Sequence, residues 1–351
     1  MECRNYFHLV IWLFGYLPYN FLIYPKQMHL KEDFMKNFKT FTKISTLTLL
    51  VSTNLAFAND IIPNDFNTQV NQVNNIPVIN IATPTLNGMS RNTYKEFNVS
   101  EKGVIFNNSI DSVNSQLAGQ LEKNHNLKDR TASLIINEVV GGNQSQLKGA
   151  IEIVGEDAKL VITNPNGVFI DGAKFINIRE SFISTGKPVF NKKDLLSLEV
   201  TKGKVTIGEK GLDSDNLVVF SRSLQVNGKI NADTITAMIG PNSMSMKVPG
   251  MPIRFENETP QPGFSIDTGN LGGMYANKSI ILLSNEKGAG VNIRDLSTSK
   301  GQLENITVQL MKDSGDVYSS NQEQNIIVAA NRYFHDGREM ELINGVWHPK
   351  Q

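Results

Sequence analysis

The side chains best suited to chemistry in this 351-residue chain are its carboxylates and histidines. Clustered acids can hold calcium or pass a proton on a sugar, and suitably spaced histidines can hold a metal. Asp157, Asp171, Asp213, Asp215 and Asp233 are the candidate acids. Each falls at a corner between apolar runs, where aspartate ordinarily serves as a solvated turn residue. The five histidines, His8, His29, His125, His335 and His348, show no metal-ligand spacing. No Gly-X-Ser-X-Gly elbow is present, and Glu286-Lys287-Gly288-Ala289-Gly290 lacks the spacing of a phosphate-binding loop and reads as a turn. The expectation is a protein that is not an enzyme, with no catalytic residue, cofactor or metal site.

Turn chemistry carries more information. Asn164-Pro165-Asn166-Gly167 lies between the apolar runs Leu160-Val161-Ile162 and Val168-Phe169-Ile170. Asparagine, proline and glycine each solve a different turn problem, so the tetrapeptide predicts a tight corner between two short buried strands. The same design recurs along the chain. Val104-Ile105-Phe106 precedes Asn107-Asn108, the apolar run 132–140 precedes Gly141-Gly142-Asn143, and the run 150–154 precedes Gly155. Further runs follow at 204–208, 216–220, 224–228, 229–232, 235–239 and 279–283. No amphipathic helix longer than about two turns is expected after Phe66.

Clear corners such as Gly208 and Asn227-Gly228 recur after about twenty residues, a period that predicts a solenoid whose coils bury their apolar faces only against neighbouring coils. Inward Val, Ile, Leu and Phe would alternate with outward Asn, Ser, Lys and Thr, and corner asparagines can stack in ladders. Pattern alone leaves a parallel β-helix and a β-sandwich both open. The prolines at 249, 252, 260 and 262 make residues 248–262 an excursion rather than a central strand. Gly272-Gly273 before Tyr275 predicts close backbone approach with the ring packed over the glycines.

Composition narrows the partners. The chain carries 34 basic and 34 acidic residues, so no global field points to nucleic acid or an anionic membrane. Hydrophobic residues at 40% with 27 glycines suffice for a sizeable core rich in short strands and corners. The single cysteine, Cys3, lies in a part of the chain expected to be removed, so the expected mature chain has no disulfide, an absence that is informative only if the chain is exported.

The first residues read as targeting signals. Residues 35–43 are a basic n-region, 44–51 a short apolar stretch, and Ala56-Phe57-Ala58 supplies the small residues a signal peptidase reads, placing cleavage before Asn59. The apolar stretch is too short and polar to anchor in a bilayer, which takes roughly 20 apolar residues. Residues 1–34 are expected to reflect a misassigned start, an extended signal peptide or, as a third alternative, a membrane segment.

Five ordered motifs carry a family resemblance. Tyr94-Lys95-Glu96-Phe97-Asn98-Val99 with Gly103 and Asn107-Asn108 is followed by Asn137-Glu138-Val139, by Ser145-Gln146-Leu147, by Asn164-Pro165-Asn166-Gly167 and by Gly272-Gly273-Met274-Tyr275-Ala276. Together they resemble the amino-terminal secretion domain of two-partner secretion exoproteins, the group of filamentous haemagglutinin, large haemolysins and contact-dependent inhibition toxins. The resemblance implies an all-β fold, a right-handed parallel β-helix with an amino-terminal cap and small extra-helical strands. It places the secretion domain at residues 59–300, with further coils and a polar tail at 301–351. It also implies a partner, an outer-membrane two-partner secretion β-barrel transporter, and delivery through the periplasm to the cell surface or medium of a Gram-negative bacterium. Asn137, Asn143, Asn164, Pro165, Asn166 and Gly167 are the candidate recognition and turn residues. One departure is Asn143-Gln144-Ser145, where family members commonly have Asn-Pro-Ser, so one turn is expected to be looser. Relatives usually continue for many hundreds of residues, which leaves a short exoprotein, a truncated remnant and a split gene product as expectations. The rival reading is a stand-alone adhesin whose β-helix flank binds a host-cell surface or glycan.

Overall fold

The computed structural model describes residues 60–191, 194–246, 253–254, 262–298, 307–310, 326–330, 332–343 and 346–351. The expected leader and signal segment at residues 1–58 lie outside these, as does most of the proline-rich stretch 248–262.

The described chain is a parallel β-helix with three stacked faces. The first face runs through Ile76–Asn80, Val104–Asn108, Ala150–Gly155, Ala173–Ile176, Leu212–Asp213 and the first halves of Lys229–Ile239 and Gly273–Ser284, ending at Asp295–Thr298. The second runs through Met89–Phe97, Leu134–Val139, Ala158–Thr163, Ile178–Ser184, Asn216–Ser221 and the second halves of the same two long strands. The third stacks Ser145–Leu147, Val168–Ile170, Lys204–Ile207, Ser223–Val226, Phe264–Thr268 and Gly290–Ile293. Neighbours are parallel throughout these stacks, so of the two architectures left open by pattern the chain adopts the helix and not the sandwich.

Stacking explains the alternation in sequence. Leu147, Ile170, Ile207 and Val226 lie directly over one another inside the third face, and all four are fully buried. Where no excursion intervenes, partners such as Leu217 and Ile235 recur at about the predicted twenty-residue coil. Elsewhere the coil is lengthened by segments that leave the helix and fold back onto it.

These excursions account for strands that are apolar on both sides. Ile136, Val161, Phe182 and Phe220 point outward from the second face yet are buried under Leu195, Leu198, Val200 and Met244. The cover is a small antiparallel sheet of Lys187–Asn191, Asp194–Val200, Asn242–Ser245 and Ile253–Arg254. On the first face, Val78, Ile105 and Val154 are covered by Ala118 and Leu121 of the hairpin Val113–Ser115 and Gly119–Leu121. Buried Glu152 anchors that hairpin by accepting from Ser115 Oγ at 2.6 Å and from the amides of Gln116 and Leu117 at 2.8 and 3.2 Å. Burial on both faces gives near-continuous apolar runs instead of strict alternation.

The amino end is capped by a half-coil that runs backwards. Ile61–Pro63 lies antiparallel to Met89–Phe97, and Gln69–Val73 lies antiparallel to Ile76–Asn80 across a two-residue turn of Asn74 and Asn75. Both asparagines take positive φ, 51° and 63°, which suits asparagine in a primed hairpin turn. At the other end, the stretch from His335 expected as a polar tail forms strands Arg338–Ile343 and Val346–Pro349.

Candidate functional site

Asn164-Pro165-Asn166-Gly167 forms the expected corner between Ala158–Thr163 and Val168–Ile170. The Gly167 amide donates to the Asn164 carbonyl at 2.9 Å and closes the turn, with Gly167 at φ 113°. Asn164 Oδ1 accepts the Asn166 amide at 2.9 Å, the side-chain mimicry of a turn that asparagine performs readily.

Both asparagines then reach down to the previous coil. Asn164 Nδ2 donates to the Asn143 carbonyl at 2.9 Å and to Ser145 Oγ at 3.0 Å, and Asn166 Nδ2 donates to the Gly141 carbonyl at 2.8 Å. The Ser145 amide returns a bond to the Gly167 carbonyl at 3.1 Å. Glycine is required where corners touch. A Cβ at Gly141 would lie 1.9 Å from the Lys95 carbonyl oxygen, and one at Gly203, above, would lie 2.8 Å from the Pro165 carbonyl oxygen.

The fold therefore gathers Asn143, Asn164, Pro165, Asn166 and Gly167 at one stacked edge. Asn143 is exposed and donates to Glu96 Oε1 at 2.5 Å, Pro165 and Asn166 are half-buried, and Asn164 has 0% exposure. Asn137 is not part of this edge. It faces the helix interior at 0% exposure, beside Asn92 and Ile162, with its Oδ1 accepting from the Tyr94 hydroxyl at 3.0 Å. Burial, with a smaller contribution from Asp65, holds the Tyr94 phenol well above its usual range, so it stays a donor to Asn137.

Other buried polar residues escaped sequence reasoning. Asn108 donates to the carbonyls of Ala132 and Glu156 at 2.8 Å each and accepts the Ala132 amide at 2.7 Å, closing the hairpin excursion back onto the helix. Arg222 and Glu286 form a buried bidentate pair, and Arg222 Nη1 donates to the Thr201 carbonyl at 2.7 Å. The Asn107-Asn108 doublet signalled the first; nothing local signals a pair so distant in sequence. Gly272 and Gly273 behave as expected: a Cβ on Gly272 would lie 1.9 Å from the Val226 carbonyl oxygen, and one on Gly273 would meet the Tyr275 ring at 2.7–3.0 Å.

Four of the candidate acids, Asp157, Asp171, Asp213 and Asp233, accept hydrogen bonds on their carboxylates from neighbouring side chains or backbone. Asp213, Asp215 and Asp233 share a groove of about 470 Å³ with Lys174, Phe175 and Tyr275. Within it, Asn231 donates to Asp213 at 2.8 Å, and Asn277 and Lys278 donate to Asp233 at 2.7 and 2.9 Å. Those bonds, Asn277 first, pull the Asp233 carboxyl below its ordinary range, and the hydrogen bond from Arg179 does the same for Asp157. A general acid needs the opposite shift. Asp171 accepts the Lys210 amide at 2.9 Å. Among the described residues no three His, Cys, Asp or Glu side chains are grouped to hold a metal.

Comparison with known proteins places the β-helix. Residues 58–317 match the TPS secretion domain family. The chain is 40% identical over 257 residues to the tRNA nuclease CdiA of Yersinia mollaretii, covering 70% of this chain and 9% of that protein. It is also 40% identical over 244 residues to the 16S rRNA endonuclease CdiA of Enterobacter cloacae subsp. cloacae, covering 68% of this chain and 7% of that one. The match thus spans less than a tenth of the length of these relatives. The crystal structure of a filamentous hemagglutinin secretion domain superposes with a TM-score of 0.65 at 26% identity, covering 79% of this chain and 94% of that one.

Proposed function

The chain belongs to the TPS secretion domain family, and on that premise we propose that an outer-membrane two-partner secretion β-barrel carries it from the periplasm to the cell surface or medium. Its family role is that of the secretion-competent amino-terminal module of exoproteins of the adhesin or toxin type. The observation that carries the proposal is coincidence: the family match at residues 58–317 overlies the stacked coils, from the backward-running cap at Ile61–Pro63 to Asp295–Thr298.

Folding itself supplies a driving force for export. Each coil needs only the coil before it, since Ile170 packs on Leu147, Ile207 on Ile170 and Val226 on Ile207. Full burial of each such side chain stabilises by roughly 1.5–3 kcal/mol. A coil formed outside cannot slide back without giving up that burial, so no ATP is needed at the outer membrane. Transporter contacts at the corner fall on Asn143, Pro165 and Asn166, while Asn164 and Asn137 act through folding. Nuclease activity is named for the CdiA relatives, and under this proposal no catalytic step is assigned to this chain.

The test is secretion with and without a co-expressed partner transporter, following the protein in periplasm and medium. Transporter-dependent appearance in the medium is expected. Retention in the periplasm beside a matched transporter overturns the proposal.

A further inference from the structure

We propose that Arg222 and Glu286 form a latch at the exits of two excursions, one that seals the small antiparallel sheet onto the β-helix only after the coil carrying Glu286 has stacked.

The latch sits on one edge of the helix, where the second face turns into the third. Corners there stack from Asn164-Pro165-Asn166-Gly167 through Thr185, Arg222 and Gly240 to Asn285 and Glu286. Main-chain donations at 3.0–3.1 Å join them: Asn164 to Ser184, Thr185 to Phe220, Gly240 to Ser221 and Asn285 to Ile239. Two of these corners are where the covering segments leave the helix, the first between Ser184 and Lys204 and the second between Ile239 and Phe264.

Arg222 lies between the two exits. Its amide donates to Thr185 Oγ1 at 3.4 Å, and its Nη1 donates at 2.7 Å to the carbonyl of Thr201, the residue that follows the covering strand Asp194–Val200. Its Nε and Nη2 donate to the Glu286 carboxylate, Nη2 at 2.9 Å. That partner is two coils away, because the corner between them is Gly240, where a Cβ would lie 2.2 Å from Asn285 Oδ1 and 3.1 Å from the Glu286 amide nitrogen. Asn285 Nδ2 donates in turn to Asn242 Oδ1. Val200 and Asn242 are register partners in the covering sheet, so its last rung is tied through Thr201 to Arg222 and through Asn285 to the neighbour of Glu286.

The chemistry of the pair sets the timing. A buried guanidinium without its carboxylate is costly, whereas a well-packed apolar pair of similar volume is often as stable as the ion pair. Arg222 therefore keeps the exits from closing over it until Glu286 arrives, 64 residues later, and an apolar pair would close without waiting. Until then the sheet over Ile136, Val161, Phe182 and Phe220 can lift. Late sealing during export rests on the transporter reading; the latch itself does not.

Hydrogen exchange in the full chain tests it. At equilibrium, Glu286→Gln is expected to speed exchange by roughly tenfold or more at residues 195–200 and 242–245, while residues 150–155 and 158–163 stay slow. Uniform loosening, or none, overturns the proposal. Pulsed exchange during refolding reads the order of closure. The unsubstituted chain is expected to protect residues 195–200 and 242–245 no earlier than 280–284, and the Arg222→Met, Glu286→Leu double variant to protect them first. The same order in both proteins, or earlier sealing in the unsubstituted chain, overturns the latch. If Glu286→Gln does not fold, this comparison decides alone. Both readouts use the isolated chain, so neither depends on a transporter.

Discussion

The side-chain amide of Asn164 donates to the main-chain oxygen of Asn143 at 2.9 Å, so the corner of one coil is pinned to the corner of the coil beneath it by a residue with 0% exposure. One of the two is sealed inside the edge and the other faces solvent, so substitutions at them can tell an effect on folding from an effect on transporter contact.

Asn164→Ala removes two donations and a turn-forming acceptor, and leaves the Asn143 carbonyl and Ser145 hydroxyl short of a donor. A loss of roughly 2–3 kcal/mol is expected in denaturant unfolding. Asn143→Ala touches only an exposed contact to Glu96 and should change stability by less than about 0.5 kcal/mol. Export should follow stability for Asn164→Ala. Lost export of a fully stable Asn143→Ala identifies direct contact with the transporter; unchanged export removes Asn143 from that contact.

Neighbouring glycines at the same edge make a second test. Gly141→Ala places a methyl 1.9 Å from the Lys95 carbonyl oxygen, whereas a methyl at Gly142 meets nothing within 4 Å. Gly141→Ala should cost more than about 2 kcal/mol or abolish folding, and Gly142→Ala should lie within about 0.5 kcal/mol of the parent. Thermal unfolding of the two variants checks the stacking directly, and equal behaviour would count against it.

Arg222 and Glu286 pair with side-chain exposures of 6% and 2%, and the chain between them leaves the helix after Gly240 to add Asn242–Ser245 and Ile253–Arg254 to the small covering sheet. Glu286→Gln removes the carboxylate that accepts from the buried guanidinium and should destabilise by about 3–5 kcal/mol. Replacing both, Arg222→Met with Glu286→Leu, should recover most of that loss, because desolvation offsets much of the pair's attraction. A double-mutant cycle in urea reads the coupling; additive losses would contradict it.

Alkaline pH should weaken the fold. The hydrogen bond to Asp295, and then burial, push the Tyr275 phenol up to about 12, and burial drives Tyr94 well above its ordinary value of 10.0. A raised folded-state pKa contributes stability that is intact below the unfolded value and is lost as pH rises through the folded one. Unfolding free energy should therefore fall from about pH 10 upward, with buried Tyr94 contributing a slope of up to about 1.4 kcal/mol per pH unit. Tyr94→Phe should flatten that slope while costing about 1–3 kcal/mol at neutral pH, since Asn137 Oδ1 loses its donor. An unchanged slope in the variant would exclude Tyr94 as its source.

Local residue chemistry made much of the fold legible. Asn164-Pro165-Asn166-Gly167 could only be a corner, and Leu160-Val161-Ile162 and Val168-Phe169-Ile170 are the strands beside it. The Asp336-Gly337 turn was equally readable between His335 and Arg338, yet the surrounding charge and polarity suggested a tail. Asn137 was legible as a motif residue but not as an interior one, because period-2 direction depends on which neighbour sets the register.

Sequence alone determined the strand-and-corner grammar, since turn type and short apolar runs depend on residues within a few positions of one another. It also carried the family, through motifs in a fixed order. Tertiary structure decided what the corners rest on: that Asn164 meets Asn143, that the outer sides of the second face are buried under an excursion, and that Arg222 finds Glu286. Those contacts join residues a whole coil or more apart, and their energy exists only once the intervening coil has closed. No local propensity encodes it.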